Sequence, residues 1–207
     1  MATEIELKAH VKDSEALRLL LQDKTRYMCS FEKEDTYYFP TINPNSDIPK
    51  SGVRLRSDNK TFPDGTEKET VYVTYKSKEV RDGIEINDEK EFEVCSSQNC
   101  IGTVFDEFLK MMGLKPGYSK RKKGWAFSKE GINAELLEVE KLGWFLEIEI
   151  VVNDTDIDAF NNNDTTINEK RKQLMGFLSE LGIEKEAIES RYYSEMLREL
   201  AGQAPSG

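Results

Sequence analysis

Glu4-Ile5-Glu6-Leu7-Lys8 alternates charge with bulky apolar side chains, and Phe145-Leu146-Glu147-Ile148-Glu149 repeats the pattern far downstream. In a β-strand successive side chains leave on opposite faces, so Glu4, Glu6 and Lys8 share one face while Ile5 and Leu7 share the other. A strand of this kind is ordinarily half-exposed in an antiparallel sheet, with its charges in water. Several strands of this chain carry the pattern, however, and they are sorted by sign. Glu91-Phe92-Glu93-Val94 is acidic, whereas Val53-Arg54-Leu55-Arg56, Thr74-Tyr75-Lys76-Ser77-Lys78 and Tyr118-Ser119-Lys120-Arg121-Lys122 are basic. A face built only for solubility would mix the signs within each strand.

Working outward, residues 3–12 read as a strand, followed by a helix from about Ser14 to Lys24 that Asp13 or Ser14 can cap. Thr25 to Phe39 alternates in the β manner as two strands, and the Pro-, Asn- and Asp-rich stretch from Pro40 to Gly52 is a loop. Strands follow near 52–58, 70–79 and 85–95, with a turn through Pro63-Asp64-Gly65. Gln98 to Met112 is an amphipathic helix whose apolar stripe is Ile101, Val104, Phe105, Phe108, Leu109 and Met112. Three more strands run near 117–128, 131–139 and 144–152, and from Thr155 the chain is helical with a break at Gly182. The expectation is one domain over residues 1–201, with C-terminal helices from about 155 and a disordered tail over 202–207. Eight or nine largely antiparallel strands with interspersed helices make an α+β fold, and a sheet that long tends to close into a barrel with its helices outside.

Composition narrows the chemistry. A net charge of −10 over 207 residues argues against a general nucleic-acid or anionic-membrane surface. No stretch reaches the ~18 apolar residues of a membrane span, and the N-terminus lacks a signal-peptide layout, so a cytoplasmic location is expected. Cys29, Cys95 and Cys100 are odd in number and lack C-x-x-C spacing, which suggests neither a disulfide framework nor a thiolate zinc site. His10 is the only histidine, so chemistry here must run on carboxylates, lysines, arginines and a hard cation.

The EIELK opening, DTYYF at Asp35 to Phe39, VRLR at Val53 to Arg56, the YKSK strand, EKEFEV, SKRKKGW and LGWFLEIE together resemble the CYTH superfamily of triphosphate tunnel metalloenzymes. That group includes class IV adenylate cyclases, thiamine triphosphatases and inorganic tripolyphosphatases. The resemblance spans about residues 2 to 152 and is closest to the bacterial class IV adenylate cyclase-like branch. It implies a closed antiparallel barrel whose charged faces line a tunnel. Charges so buried cost several kcal/mol each unless compensated. A triphosphate matched to the arginines and lysines, with a divalent cation matched to the carboxylates, would answer both halves.

The resemblance further implies Glu4, Glu6, Glu147 and Glu149 as ligands for Mg²⁺ or Mn²⁺, with Arg54, Arg56, Lys76 and Lys120 holding phosphate. Lys8 contacts phosphate or the attacking group, and with Glu6 and Glu149 forms the expected catalytic set. Lys78 joins the phosphate holders, and Glu91 and Glu93 the metal ligands, unless these three only form ion pairs inside the tunnel. Lys122 stands where the family usually shows arginine, and its neighbour Arg121 would replace it if the register slipped by one. Leu137 stands where the family usually carries aspartate; Glu138 beside it should face the other way. DTYYF reads mainly as a structural signature, with a nucleotide-side contact from Asp35 and Tyr37, which share one face of their strand, as the alternative.

The function implied is a metal-dependent, triphosphate-cleaving enzyme acting on a small-molecule substrate without nucleic-acid or membrane partners. It would be either a class IV-like cyclase, making cyclic AMP and pyrophosphate from ATP, or a triphosphatase acting on tripolyphosphate, thiamine triphosphate or a nucleotide. A non-catalytic polyphosphate or nucleotide sensor, and a plain globular domain with solvated strand faces, remain as alternatives. The C-terminal helices could pack on the barrel or mediate a homodimer.

Overall fold

The computed structural model of the chain describes residues 2–40, 52–81, 84–95, 102–153 and 163–202. The two quoted motifs lie side by side in it. β1 (Ala2–His10) runs antiparallel to β8 (Gly143–Asn153), with Glu6 opposite Glu149, Leu7 opposite Ile148 and Lys8 opposite Glu147. Between them come β2 (Arg26–Pro40), β3 (Val53–Thr61), β4 (Glu67–Arg81), β5 (Ile84–Cys95), β6 (Leu114–Lys129) and β7 (Ile132–Val139). Their order around the sheet is β1-β5-β4-β3-β2-β6-β7-β8, and β8 returns to β1, so the barrel is closed and every neighbouring pair is antiparallel. Closure leaves no unpaired edge.

The apolar faces point outward, under helices. Ile5, Leu7 and Ala9 of β1 meet Leu146, Ile148 and Ile150 of β8 in a cluster covered by α1 (Ser14–Lys24) and α3 (Asn163–Glu180). Leu17 and Leu21 come from α1, and Leu174, Phe177 and Leu178 from α3. Each fully buried Leu, Ile or Phe contributes about 1.5–3 kcal/mol, which makes this cluster the main apolar support of the barrel. Asp13 caps α1 by accepting a hydrogen bond from the Ala16 amide at 3.0 Å, as its short acidic side chain favours. The break at Gly182 follows from its φ of +72°, a left-handed conformation glycine adopts without a Cβ clash. No helix among the described residues is long and apolar enough to cross a membrane.

Two expectations need correction. Arg26 to Pro40 is one continuous strand, because register shifts at Tyr27/Cys29 and Thr36/Tyr38 let it bend while pairing β3 on one side and β6 on the other. The stripe expected on the helix after β5 is only partly buried. In α2 (Gly102–Met111), Phe105 and Leu109 pack on Tyr38, Leu55, Val71 and Val73, but Val104, Phe108 and Met112 stay largely exposed. A short helix touching one flank of a curved sheet buries an i, i+4 pair rather than the whole stripe. Ile101, the Pro40–Gly52 loop at residues 41–51, the helical start at 155–162 and the tail at 203–207 lie outside the described residues.

Gly124 marks a close approach. It sits between Phe31 on β2 and Leu137 on β7, and a Cβ there would come within 2.1 Å of the Leu136 carbonyl oxygen and 2.7 Å of Leu137 Cα. Those are backbone atoms, which cannot rotate aside. Gly124→Ala is therefore expected to lower unfolding free energy by about 1–3 kcal/mol, measured by urea denaturation. A loss below ~0.5 kcal/mol would show that β6 and β7 separate at no cost.

Candidate functional site

With apolar faces outside, the charged faces line the barrel interior, and most of the charge there is already paired. Arg56 on β3 donates through Nε and Nη2 to the Asp35 carboxylate on β2, at 2.6 and 3.0 Å, and Lys120 on β6 approaches the same group at 3.5 Å. Asp35 is completely buried. Burial alone would raise its carboxyl, but the Arg56 and Lys120 charges overrule that and hold it well below the usual carboxylate range. Arg54 donates to Thr74 at 3.0 Å and to Glu91 at 3.1 Å, and Thr74 in turn donates to Glu91 at 2.6 Å. Lys122 reaches both oxygens of Glu147 at 2.8 Å. Burial opposes ionisation of that pair, yet the lysine is shifted up and the carboxyl down because each charge stabilises the other. Lys8 donates to Glu85 at 2.9 Å, and Lys33 to Glu135 at 2.5 Å.

The acidic side differs. Glu4 and Glu6 of β1 and Glu149 of β8 each offer a carboxylate oxygen, and these atoms lie within 4.8 Å of one another. Alternation along β1 puts the first two on one face, and the Glu6–Glu149 register brings the third beside them. Burial, reinforced by the Glu4 and Glu6 charges, pushes Glu149 up to about 8, while the Asn133 amide donates to it at 3.2 Å and only partly offsets this. Three converging carboxylates, one of them reluctant to ionise, form an all-oxygen donor set that fits a hard divalent cation. Mutual repulsion is what a cation would remove.

Of the expected site residues, Glu4, Glu6 and Glu149 come together, and Lys8, Arg54, Arg56, Lys120 and Lys122 stand along the neighbouring interior walls. Glu147 points inward but is bound to Lys122 rather than to the three-carboxylate group. Glu91 is held by Arg54 and Thr74, and Glu93 lies 4.0 Å from Lys68. The side chains of Lys76 and Lys78 on β4 lie outside the described residues. At the uncertain register, Lys122 is buried while Arg121 turns outward to Glu34 at 3.3 Å. Leu137 faces inward and is fully buried against Phe31, Val139, Phe145 and Tyr193, and Glu138 turns outward to Lys123 at 3.1 Å.

Sequence reasoning missed five interior residues. Glu85 and Glu135 sit in short alternating runs, Ile84-Glu85-Ile86 and Ala134-Glu135-Leu136, so the same period-two signal could have found them. Lys33 and Asp35 share the inward face of β2, a reading open once Asp35 is treated as a charge rather than a signature. Tyr193, at the start of α4 (Tyr193–Leu200), had no sequence signal at all.

The sequence profile of the CYTH domain matches residues 2–193. The chain belongs to the CYTH domain family. A Methanocaldococcus jannaschii protein provisionally named an adenylate cyclase is 24% identical over 196 residues, 93% of this chain and 97% of that protein. A solved Pyrococcus horikoshii structure superposes with a TM-score of 0.73 at 26% identity, covering 95% of this chain and 99% of its own. A Hippeastrum protein, provisionally an adenylyl cyclase and described as having a dominant triphosphatase activity, shares the fold at 16% identity with a TM-score of 0.62, covering 99% of this chain and 97% of its own.

The raised Glu149 pKa sets a stability window. The folded state binds this proton more tightly than the unfolded chain, so the stability it lends is full below the ordinary glutamate value near 4.5 and is lost as pH rises through about 8. In EDTA the melting temperature of the wild type should therefore fall between those limits relative to Glu149→Gln, and millimolar Mg²⁺ should restore it at pH 8. Parallel melting curves for the two proteins would contradict the crowding of these carboxylates.

Proposed function

We propose that the chain is a divalent-metal-dependent enzyme that binds the triphosphate of a small molecule inside its barrel and cleaves a phosphoanhydride bond, in the manner of a class IV adenylate cyclase. The observation that carries this reading is the Glu4, Glu6 and Glu149 group set beside the Arg54, Arg56, Lys120 and Lys122 walls within one closed barrel. Membership in the CYTH domain family supports the substrate class, and the name of the Methanocaldococcus relative supports the cyclase form. Glu4, Glu6 and Glu149 would hold the cation. When bound, Mg²⁺ or Mn²⁺ supplies a Lewis acid that eases deprotonation of the attacking oxygen and neutralises phosphate charge.

The chain's own part is positioning and charge exchange. Arg54 and Arg56 present planar forks suited to phosphoryl oxygens, and those forks bond Glu91 and Asp35. A polyanionic ligand shares or takes over those partners, so the cations stay compensated and are already oriented when charge develops on the leaving phosphate. Lys8 and Lys122, held by Glu85 and Glu147, do the same from the β1 and β6 sides. Attack by the ribose 3′-oxygen on the α-phosphorus forms the cyclic phosphodiester and releases the β and γ phosphates together. Attack by water on a terminal phosphorus releases orthophosphate.

Glu6→Gln and Glu149→Gln should each lower turnover at least ~100-fold with the fold intact, since an amide is a weak ligand for a hard cation. Near-normal rates for both variants at saturating Mg²⁺ would remove them from the metal site. Separating the products of ATP and of inorganic tripolyphosphate by anion exchange tests the reaction. Equal cyclic AMP and pyrophosphate, abolished by EDTA and restored by Mg²⁺ or Mn²⁺, is the expected outcome. Orthophosphate from either substrate without cyclic AMP would make the protein a triphosphatase, and no product from either would make it a binding protein.

A further inference from the structure

The C-terminal segment reaches back to the barrel and delivers one side chain to the basic wall. Ile188 forms an antiparallel bridge with Ala9, and the Glu189 amide donates to the Lys8 carbonyl at 2.8 Å, so the segment is pinned to the end of β1 by backbone bonds. The Glu189 carboxylate is held by Arg191 and by His10, the latter at 3.0 Å, which fixes the chain just before α4. Four residues after Glu189, Tyr193 enters the barrel with only 7% of its surface exposed. Its ring meets Phe145 edge-on at 5.1 Å and rests on Phe31, Leu137 and Val139.

Around that ring converge three ammonium groups, Lys8 at 4.9 Å, Lys120 at 5.0 Å and Lys122 at 4.8 Å from its centre. An aromatic face attracts cations, and a ring fixed by packing spaces them around itself. The hydroxyl of Tyr193 is buried beside the Glu147 carboxylate, close enough to interact with it but without a well-formed hydrogen bond. Glu147 is shared with Lys122, which reaches both of its oxygens at 2.8 Å. A buried hydroxyl left in this way is costly unless a ligand completes it. A phenol is protonated at neutral pH and so can act as a donor.

We propose that Tyr193 is a substrate-binding residue whose hydroxyl donates to a phosphoryl oxygen of the bound triphosphate while its ring holds Lys8, Lys120 and Lys122 around the same position. The inference rests on the triphosphate reading above and adds to it a neutral donor from the C-terminal helix. Its ligand is the phosphate chain itself, so inorganic tripolyphosphate carries everything the hydroxyl recognises.

Isothermal titration with inorganic tripolyphosphate in EDTA at pH 7 measures this contact without the metal or turnover. Y193F keeps the ring and removes only the donor; it should melt within about 3 °C of the wild type and bind about 10-fold or more weakly. Y193L, which also removes the ring, should bind more weakly still. Wild-type protein that does not bind tripolyphosphate would overturn the triphosphate reading and this inference with it. Wild-type binding matched within twofold by Y193F would overturn the role of the hydroxyl alone, as would a Y193F that no longer folds, because the hydroxyl would then be holding the barrel. Y193L binding as well as Y193F would overturn the role of the ring.

Discussion

A charged side chain aimed into a closed barrel loses much of its contact with bulk water, and the rest of this structure is arranged around that constraint. Desolvating an ion costs several kcal/mol, and a buried charge survives only with a partner and further hydrogen bonds. Strand order supplies the partners: β3 lies beside β2 and one strand from β6, so Arg56 and Lys120 meet on Asp35 from opposite sides. The same logic joins β6 to β8 through Lys122 and Glu147, and β1 to β5 through Lys8 and Glu85. Removing Arg56 would leave a fully buried carboxylate with Lys120 alone, so this arginine serves the fold as much as any ligand. The apolar faces outside, packed under α1 and α3, provide the free energy that such an interior requires.

One place gathers charge of a single sign. Glu4, Glu6 and Glu149 crowd together, and the repulsion shows in the raised pKa of Glu149. Like charges held together raise the free energy of the fold, and a cation bound between them would offset that repulsion. The paired walls and the crowded trio thus divide the interior into a side of mixed, mutually bonded charges and a side of like charges.

The third contribution comes from the C-terminus. Leu137, where the family resemblance leads one to expect aspartate, makes sense beside α4: it lies with Phe31, Val139, Phe145 and Met196 in the apolar bed that supports the Tyr193 ring. An aspartate there would place a charge in the apolar bed under the ring, where burial is costly. The residue at this position is therefore part of how the helix docks and the lysines are spaced, and the acidic group that faces the interior from β7 is Glu135.

Alternation was enough to determine which residues of each strand face the same way, because the period of two is a property of the backbone. The barrel and its charged interior are read from sign-sorted strands together with the family resemblance, which offers Glu147 as a fourth ligand beside Glu4, Glu6 and Glu149; only the last three converge. Which charges meet across the interior was decided only by tertiary structure. Glu147 belongs to Lys122, Glu91 to Arg54 and Asp35 to Arg56 because strand order and shear bring them within reach, and no local pattern encodes either. Tyr193 lay furthest beyond the sequence, for its place depends on a backbone bridge between Ile188 and Ala9, residues separated by most of the chain and linked by pairing that reads no side chain.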